Sequence, residues 1–76
     1  MTVYMAVTPD EYEHCLCIAD SKYGLSKQMG ISLPNIYRHL KGEYMNDYQG
    51  VLDYIKRNGA RPRTKYFIRE VHITDD

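Results

Sequence analysis

The side chains best suited to chemistry in this 76-residue sequence are hydrogen-bond donors that alternate with apolar residues near its middle. Ile36 and Leu40 stand four positions apart, and residues at that spacing share one face of a helix. The donors occupy the positions around this pair: Asn35, Tyr37, Arg38 and Lys41. The pattern predicts a helix that buries the apolar pair and turns the donors outward, as a contact with base edges and phosphates of DNA requires.

A second group of cations lies in the segment RNGARPRTK, residues 57–65, ahead of a β-prone run. The long side chains of Arg61 and Arg63 can follow phosphates or enter a minor groove, as the wing of a DNA-binding domain does. The alternative is a solvated connection between two elements. The sequence leaves both interpretations open.

The motif His14-Cys15-Leu16-Cys17 raises the possibility of a metal site. Structural zinc sites normally use two well-separated ligand pairs, and here a third ligand such as His72 would have to come from another strand. We therefore predict no metal and no cofactor. Free cysteine usually behaves as a small hydrophobe, so Cys15 and Cys17 are interpreted as buried thiols.

No catalytic motif stands out in the sequence. It has no paired carboxylates, Ser/His/Asp arrangement, Gly-rich phosphate loop or HExxH motif. His39, beside Arg38, is interpreted as a surface or rim residue rather than a catalyst. A domain this small also has little room for a large active-site cleft. These features predict that the protein is not an enzyme.

The charges sum to zero but are sorted along the chain. Residues 21–42 carry four cations and no acid, and residues 54–69 carry six cations and no acid, whereas residues 1–20 carry four acids and no Lys or Arg. Such segregation can create one basic face on a neutral protein. The alternative is ordinary solvated charge.

The hydrophobic fraction of 43% indicates a globular chain rather than a disordered one. No apolar run approaches membrane-spanning length, and the first residues lack the basic and apolar regions of a signal peptide. We therefore expect a cytoplasmic protein inside the host cell, with both cysteines reduced and no membrane partner.

The elements that position the donors begin with a helix from Lys22, capped by Asp20 or Ser21. Leu25 and Met29 share one face of this helix, and Gly30 ends it in a left-handed conformation. Ile31 turns into the space between two helices. The next helix, over residues 32–41, is predicted to begin with a hydroxyl cap from Ser32 and Pro34 in its first turn.

The segment GISLPNIYRHLKG, residues 30–42, resembles the turn and recognition helix of phage and bacterial helix-turn-helix regulators. The resemblance implies that the start of the second helix and the turn after it face the major groove. The positions concerned are Ser32, Leu33, Pro34, Tyr37 and Arg38. The order of segments is also similar to that of small mobile-element accessory proteins, in which a YMAVTPDxYE hairpin precedes the helix-turn-helix and a hydrophobic strand follows it.

The remaining pattern predicts strands at both ends of the chain. Val3, Met5 and Val7 alternate with their neighbours, residues 12–19 are expected to form the hairpin partner, and residues 65–73 form a β-prone run. A third helix is predicted from an Asn46–Gln49 capping box to Gly59. Its apolar positions are Tyr48, Val51, Leu52 and Ile55. The result is one α+β domain over residues 1–76, order ββαααβ, with a three-stranded antiparallel sheet.

Two functional hypotheses follow. The first is a non-enzymatic, sequence-specific DNA-binding protein, a small phage-type transcriptional regulator that reads the major groove of double-stranded DNA with helix 32–41, as a homodimer. The second is a protein-binding inhibitor or adaptor, such as a phage anti-defence (anti-CRISPR-like) protein that binds a host defence protein. Tyr37, Tyr44 and Tyr54 could belong to its partner surface, since tyrosine is enriched at interfaces, and its acidic hairpin could imitate DNA phosphates.

Overall fold

The computed structural model describes residues 1–74 and contains three strands and three helices. In chain order they are β1 Thr2–Val7, β2 Cys15–Ala19, α1 Lys22–Met29, α2 Leu33–Leu40, α3 Tyr48–Asn58 and β3 Phe67–His72. The predicted α+β class and the order ββαααβ are confirmed.

The three strands form one antiparallel sheet in the order β2-β1-β3, so the first strand of the chain lies in its centre. Tyr4 lies opposite Ala19 on one side and opposite Glu70 on the other. The last strand of the chain therefore pairs with the first, and the predicted three-stranded antiparallel sheet is confirmed. The β1–β2 register shifts between Ala6 and Val7, as at a β-bulge.

Helices cover both faces of the sheet because neighbouring residues of β1 point to opposite sides. On one face, α1 and α2 pack against the sheet; the buried residues there are Ala6, Leu25, Ile36 and Ile68. Met29, Ile31 and Leu40 pack around this cluster, as the apolar spacing predicts. On the other face, α3 contributes Val51, which packs against Val7 and Phe67.

The connection between α1 and α2 has the predicted helix-turn-helix form. Ser21 caps α1 with its hydroxyl, which accepts from the backbone N–H of Gly24 at 2.9 Å. Gly30 ends the helix with φ of 68°, a left-handed conformation that glycine adopts without steric cost. Ile31 then returns toward the core and donates its N–H to the Ser26 carbonyl.

The cap predicted for α2 is wrong in its detail. Ser32 has the extended backbone of a cap residue, but its hydroxyl accepts no hydrogen bond from the helix. A cap hydroxyl bonds the N–H of the second or third helical residue. Pro34 at the second position has no N–H, and the N–H of Asn35 bonds the Ser32 carbonyl instead.

The capping box predicted for α3 is also wrong. Asp47 caps this helix, with its carboxylate accepting from the Gly50 N–H at 2.6 Å. Asn46 instead faces β3: its Oδ1 accepts from the Ile68 N–H at 2.7 Å, and its Nδ2 donates to the Ile68 carbonyl at 2.9 Å. Its amide thus satisfies the outer edge of β3 as a neighbouring strand would.

Two further sequence-based assignments need correction. The hairpin partner is shorter than residues 12–19, because the Asp10 carboxylate accepts the backbone N–H groups of Tyr12 and Glu13 and holds them in a loop. Although partial burial raises the pKa of Asp10, these bonds and one from the Thr8 hydroxyl lower it below its usual value. Leu52, predicted among the apolar positions of α3, is 41% exposed and does not belong to the buried face of that helix.

The cysteine assignment is wrong for one residue. Cys17 is half-buried opposite Ala6, whereas Cys15 is exposed opposite Val7. The two cysteines differ because the register shift between β1 and β2 falls between these two pairs. His72 lies on β3, which β1 separates from β2. Between residues 1 and 74, no group of three or more His, Cys, Asp or Glu side chains is placed to hold a metal ion. No helix in the same part of the chain is long and apolar enough to cross a membrane.

Candidate nucleic-acid interface

The side of α2 that faces away from the sheet carries most of the predicted donors. Tyr37 is 41% exposed, and Arg38 and Lys41 are exposed as well. Ser32 is exposed just before the helix. Asn35 departs from the prediction and is half-buried, because it stands one turn before the buried His39 on the same side of the helix.

Tyr37 is held in place by a cation from the neighbouring helix. The Nζ of Lys22 lies 4.8 Å from the centre of the Tyr37 ring and 5.4 Å from the centre of the Tyr4 ring. These are cation–π distances, and they connect α1, α2 and β1 at one point of the surface. A tyrosine fixed by its neighbours loses less side-chain freedom when it binds a partner.

Arg38 is fixed by a hydrogen bond to the segment that follows α2. Its Nη1 donates to the Tyr44 hydroxyl at 3.1 Å. A guanidinium group carries five N–H donors, so this bond orients the side chain and leaves donors for a second acceptor. No acid occurs between residues 21 and 42, which contain all of α1 and α2 together with Lys22, Lys27, Arg38 and Lys41.

A cavity of about 350 Å³ opens where the end of α2 meets the basic loop before β3. The residues that line it are His39, Tyr44, Met45, Arg63, Thr64, Lys65 and Tyr66. Arg63 therefore lines the same cavity as Tyr44, whose hydroxyl accepts the hydrogen bond from Arg38. Arg61, on the same loop, is exposed and does not line the cavity.

His39 forms part of the cavity wall and is buried, with 6% of its surface exposed. Its interpretation as a surface or rim residue is wrong, because it lies one turn after Ile36 on the buried side of α2. Its ring packs against Tyr44 and Tyr66 at centroid distances of 5.2 and 5.0 Å. Its Nδ1 atom is buried and has no hydrogen-bond partner among residues 1–74.

Burial lowers the pKa of His39 below its ordinary value of 6.5, although the nearby Asn46 side chain acts in the opposite direction. The ring is therefore neutral at pH 7. Burial also raises the pKa of Tyr66, and the adjacent Tyr44 adds to this effect. The three aromatic rings that line the cavity are thus uncharged at pH 7, and its positive charge comes from Arg63 and Lys65.

The acids between α2 and the middle of α3 lie around a neighbouring cavity of about 400 Å³, which shares Tyr44 and Met45 with the first. Its other lining residues include Glu43, Asp47, Asp53 and Arg57. Arg57, at the start of the basic segment, thus stands among carboxylates, whereas Arg63 does not. The structure divides the segment 57–65 between two environments that its sequence does not distinguish.

Sequence reasoning missed Tyr66 and Lys65 as parts of the site, since both belong to a run interpreted as strand. One signal was available for His39: its spacing of three residues from Ile36 places it on the buried face. Comparisons of the chain with protein-family models, with curated proteins and with solved structures find no match.

Proposed function

We propose that this protein is a non-enzymatic, sequence-specific DNA-binding protein, a small transcriptional regulator of the phage or mobile-element type. In this proposal α2 enters the major groove of double-stranded DNA. The observation that carries it is the surface formed by α1 and α2, which presents Tyr37, Arg38 and Lys41 without a carboxylate between residues 21 and 42. The face opposite is buried against the sheet, which supplies the rigid support that base reading requires.

The dimensions of α2 suit this role. A helix with its side chains is about 10–12 Å in diameter and fits a major groove about 12 Å wide, and the eight residues of α2 extend about 12 Å along their axis at 1.5 Å per residue. Arg38 retains donors for guanine or phosphate after its bond to Tyr44. Ser32 and Asn35 would approach the backbone or base edges at the beginning of the helix, with Tyr37 and Lys41 following one turn later.

The basic loop adds contacts that do not depend on sequence. Arg63 adjoins Tyr44, so it lies beside the segment that fixes Arg38. Arg61 is exposed on the same loop. In the proposal both arginines bind phosphates, which strengthens binding to every duplex and makes it depend on salt.

A homodimer completes the proposal. A helix of two turns offers three or four side chains to base edges, and one such helix reads few base pairs. Two copies related by a two-fold axis would read symmetric half-sites and multiply the contacts. Equilibrium sedimentation with and without DNA is the measurement that tests this stoichiometry.

The test of DNA binding starts with selection of bound sequences from a pool of random duplexes, followed by fluorescence polarisation at two salt concentrations. Arg38→Ala should weaken binding to the selected duplex by about 5- to 150-fold, since a good base contact contributes about 1–3 kcal/mol. Tyr37→Ala should also weaken it. Lys56→Ala, which removes an exposed cation from the last turn of α3, is the matched control.

The loop variant gives an independent readout. Arg61→Ala with Arg63→Ala should weaken binding to selected and unselected duplexes by similar factors and reduce its salt dependence. Absence of binding by the wild-type protein at low salt would refute the proposal. So would an Arg38→Ala variant that binds like the Lys56→Ala control.

A second candidate function is a protein-binding inhibitor or adaptor directed at a host defence protein. The observation that favours it is the exposure of Leu16 and Ile18 on β2, 53% and 50% respectively, since exposed apolar side chains suit a protein partner. Imitation of DNA by the acidic hairpin has less support. Glu13 pairs with Arg69 at 2.7 Å, and Asp10 bonds its own loop.

Substitution of Leu16 distinguishes the two functions. Under the second function, Leu16→Lys should abolish capture of the defence protein, and Arg38→Ala should leave it unchanged. Under the first function, Arg38→Ala is the variant that loses DNA. A Leu16→Lys variant that still captures the same protein with wild-type affinity would exclude β2 as the contact.

A further inference from the structure

The cavity at the end of α2 shares Arg63 with the DNA proposal, but that proposal assigns no ligand contact to the other residues that line it. Its volume of about 350 Å³ lies within the range of small-molecule sites, about 300–1,000 Å³. Among the lining residues that the structure describes, two are cations, three carry aromatic rings, and none is an acid. A site with this lining is suited to a ligand that combines a planar ring with negative charge.

Its ring-binding part is formed by Tyr44 and Tyr66. Both pack around the neutral ring of His39, which fixes them from behind. Tyr44 is 40% exposed and borders the cavity, so part of its ring is accessible. Nucleic-acid bases stack on aromatic side chains of this kind with little dependence on base identity.

Its anion-binding part is formed by Arg63 and Lys65. Both are exposed, and neither forms an ion pair with a carboxylate that the structure describes. An arginine can bind a phosphate with two parallel hydrogen bonds, and a lysine adds a compact positive charge. Both groups stand on the wall that also carries Tyr66, so one ligand can reach the ring and the cations together.

We propose that this cavity binds a nucleotide, with the base stacked on Tyr44 and Tyr66 and the phosphate held by Arg63 and Lys65. The site does not include the groove-reading face of α2, and Arg63 is the one residue that it shares with the contacts proposed for duplex DNA. The same chemistry is offered by a free mononucleotide and by the terminal nucleotide of a single strand. The experiment below has an arm for each source.

Isothermal titration calorimetry on the whole protein compares dAMP with its two halves, deoxyadenosine and inorganic phosphate. The expected result is a Kd for dAMP below about 1 mM and at least about tenfold tighter than for either half, because both parts of the site contribute. A 5′-phosphorylated hexanucleotide forms the second arm. Competition between it and dAMP shows whether the two occupy one site.

Variants separate the two parts of the cavity. Arg63→Gln with Lys65→Gln should weaken dAMP binding about tenfold or more and leave deoxyadenosine unchanged. Tyr44→Ala should weaken dAMP and deoxyadenosine together and leave inorganic phosphate unchanged. Arg61→Gln is the matched control, since it removes a cation from the same loop outside the cavity, and thermal melts establish that each variant folds.

Three outcomes would overturn the proposal. The first is no heat of binding with dAMP or the hexanucleotide at about 5 mM ligand, a concentration that detects even weak sites. The second is equal affinity for dAMP and inorganic phosphate. The third is an Arg61→Gln control that loses as much affinity as the cavity variant, which would indicate unspecific attraction by the loop. Duplex binding by the Arg38→Ala variant is measured separately, so failure of one proposal does not imply failure of the other.

Discussion

Replacement of Asn46 by alanine is the sharpest test of how this fold is held together. Asn46 lies between α2 and α3, yet both ends of its amide bond the backbone of Ile68 on β3, at 2.7 and 2.9 Å. Within residues 1–74, the Asn46 side chain is the only side chain that accepts a hydrogen bond from the Ile68 N–H, and Asn46→Ala removes it. The Ile68 carbonyl keeps a longer bond from Arg69 Nη1, at 3.1 Å.

The expected cost follows from these two bonds. A net hydrogen bond contributes about 1 kcal/mol, and a partly buried donor left without a partner costs about 1–3 kcal/mol. Since only the N–H loses its partner outright, we expect Asn46→Ala to lower the free energy of unfolding by about 2 kcal/mol. For a domain of this size that corresponds to a fall in Tm of about 8–16 °C.

Thermal denaturation followed by circular dichroism measures the change, and urea denaturation provides the free energy directly. Asn58→Ala is the matched control, because the Asn58 side chain makes one exposed bond to the Tyr54 carbonyl. That control should cost less than about 0.5 kcal/mol. If Asn46→Ala costs no more than the control, the Asn46 amide does not secure β3.

Four further changes test separate features. Burial lowers the pKa of His39 below 6.5, so below that pH the unfolded chain binds more protons than the folded protein. The free energy of unfolding should therefore fall as the pH drops below about 6.5. His39→Gln should flatten this dependence in melts between pH 8 and 5. Gly30→Val should lower the free energy of unfolding by about 1–2 kcal/mol from its left-handed backbone alone, since a Cβ there meets no atom within 4 Å from the described residues beyond its chain neighbours. Gly30→Asn should cost clearly less in the same melts. Asp47→Ala should cost about 1 kcal/mol by loss of the α3 cap; an unchanged melting curve would contradict it. Cys15→Ser with Cys17→Ser should lower the free energy of unfolding by less than about 1 kcal/mol, and the mass of the native protein should show no bound zinc. One zinc per chain in the wild type and none in the double variant would refute this.

The features that sequence predicted best are those decided by neighbours within one or two turns. The turn at Gly30, the apolar face of α1 and α2 and the end of α3 at Gly59 depend on local spacing and on the freedom of glycine. The long strand at the end of the chain was also recognisable, because its β-prone run is uninterrupted. These signals determine the order of elements and hence the fold class.

The features that were wrong depend on partners far away in the chain. Asn46 looked like a helix cap because asparagine favours caps, but its partner Ile68 lies 22 residues later. The spacing from Ile36 placed His39 on the buried side of α2, but the contact with Tyr66, a residue that precedes β3, depends on the tertiary fold. No local spacing specifies such contacts.

The candidate site was predicted in part for the same reason. Tyr37, Arg38 and Lys41 follow from the period of one helix, and the structure exposes all three. The sequence gives no reason to distinguish Arg61 from Arg63, but of the two only Arg63 lines the cavity beside Tyr44. The path of a loop decides this difference, and the path depends on where β3 pairs.

The central position of β1 has a consequence for how the chain acquires its structure. Thr2 lies opposite His72, so the middle strand of the sheet receives its second neighbour only from the far end of the sequence. A hairpin of two strands is marginal in water, and during synthesis β1 and β2 emerge long before β3. We expect the nascent chain to stay without a stable sheet until residues 67–72 leave the ribosome, and folding to be slow for a domain of this size, because closing so long a loop precedes the gain in contacts.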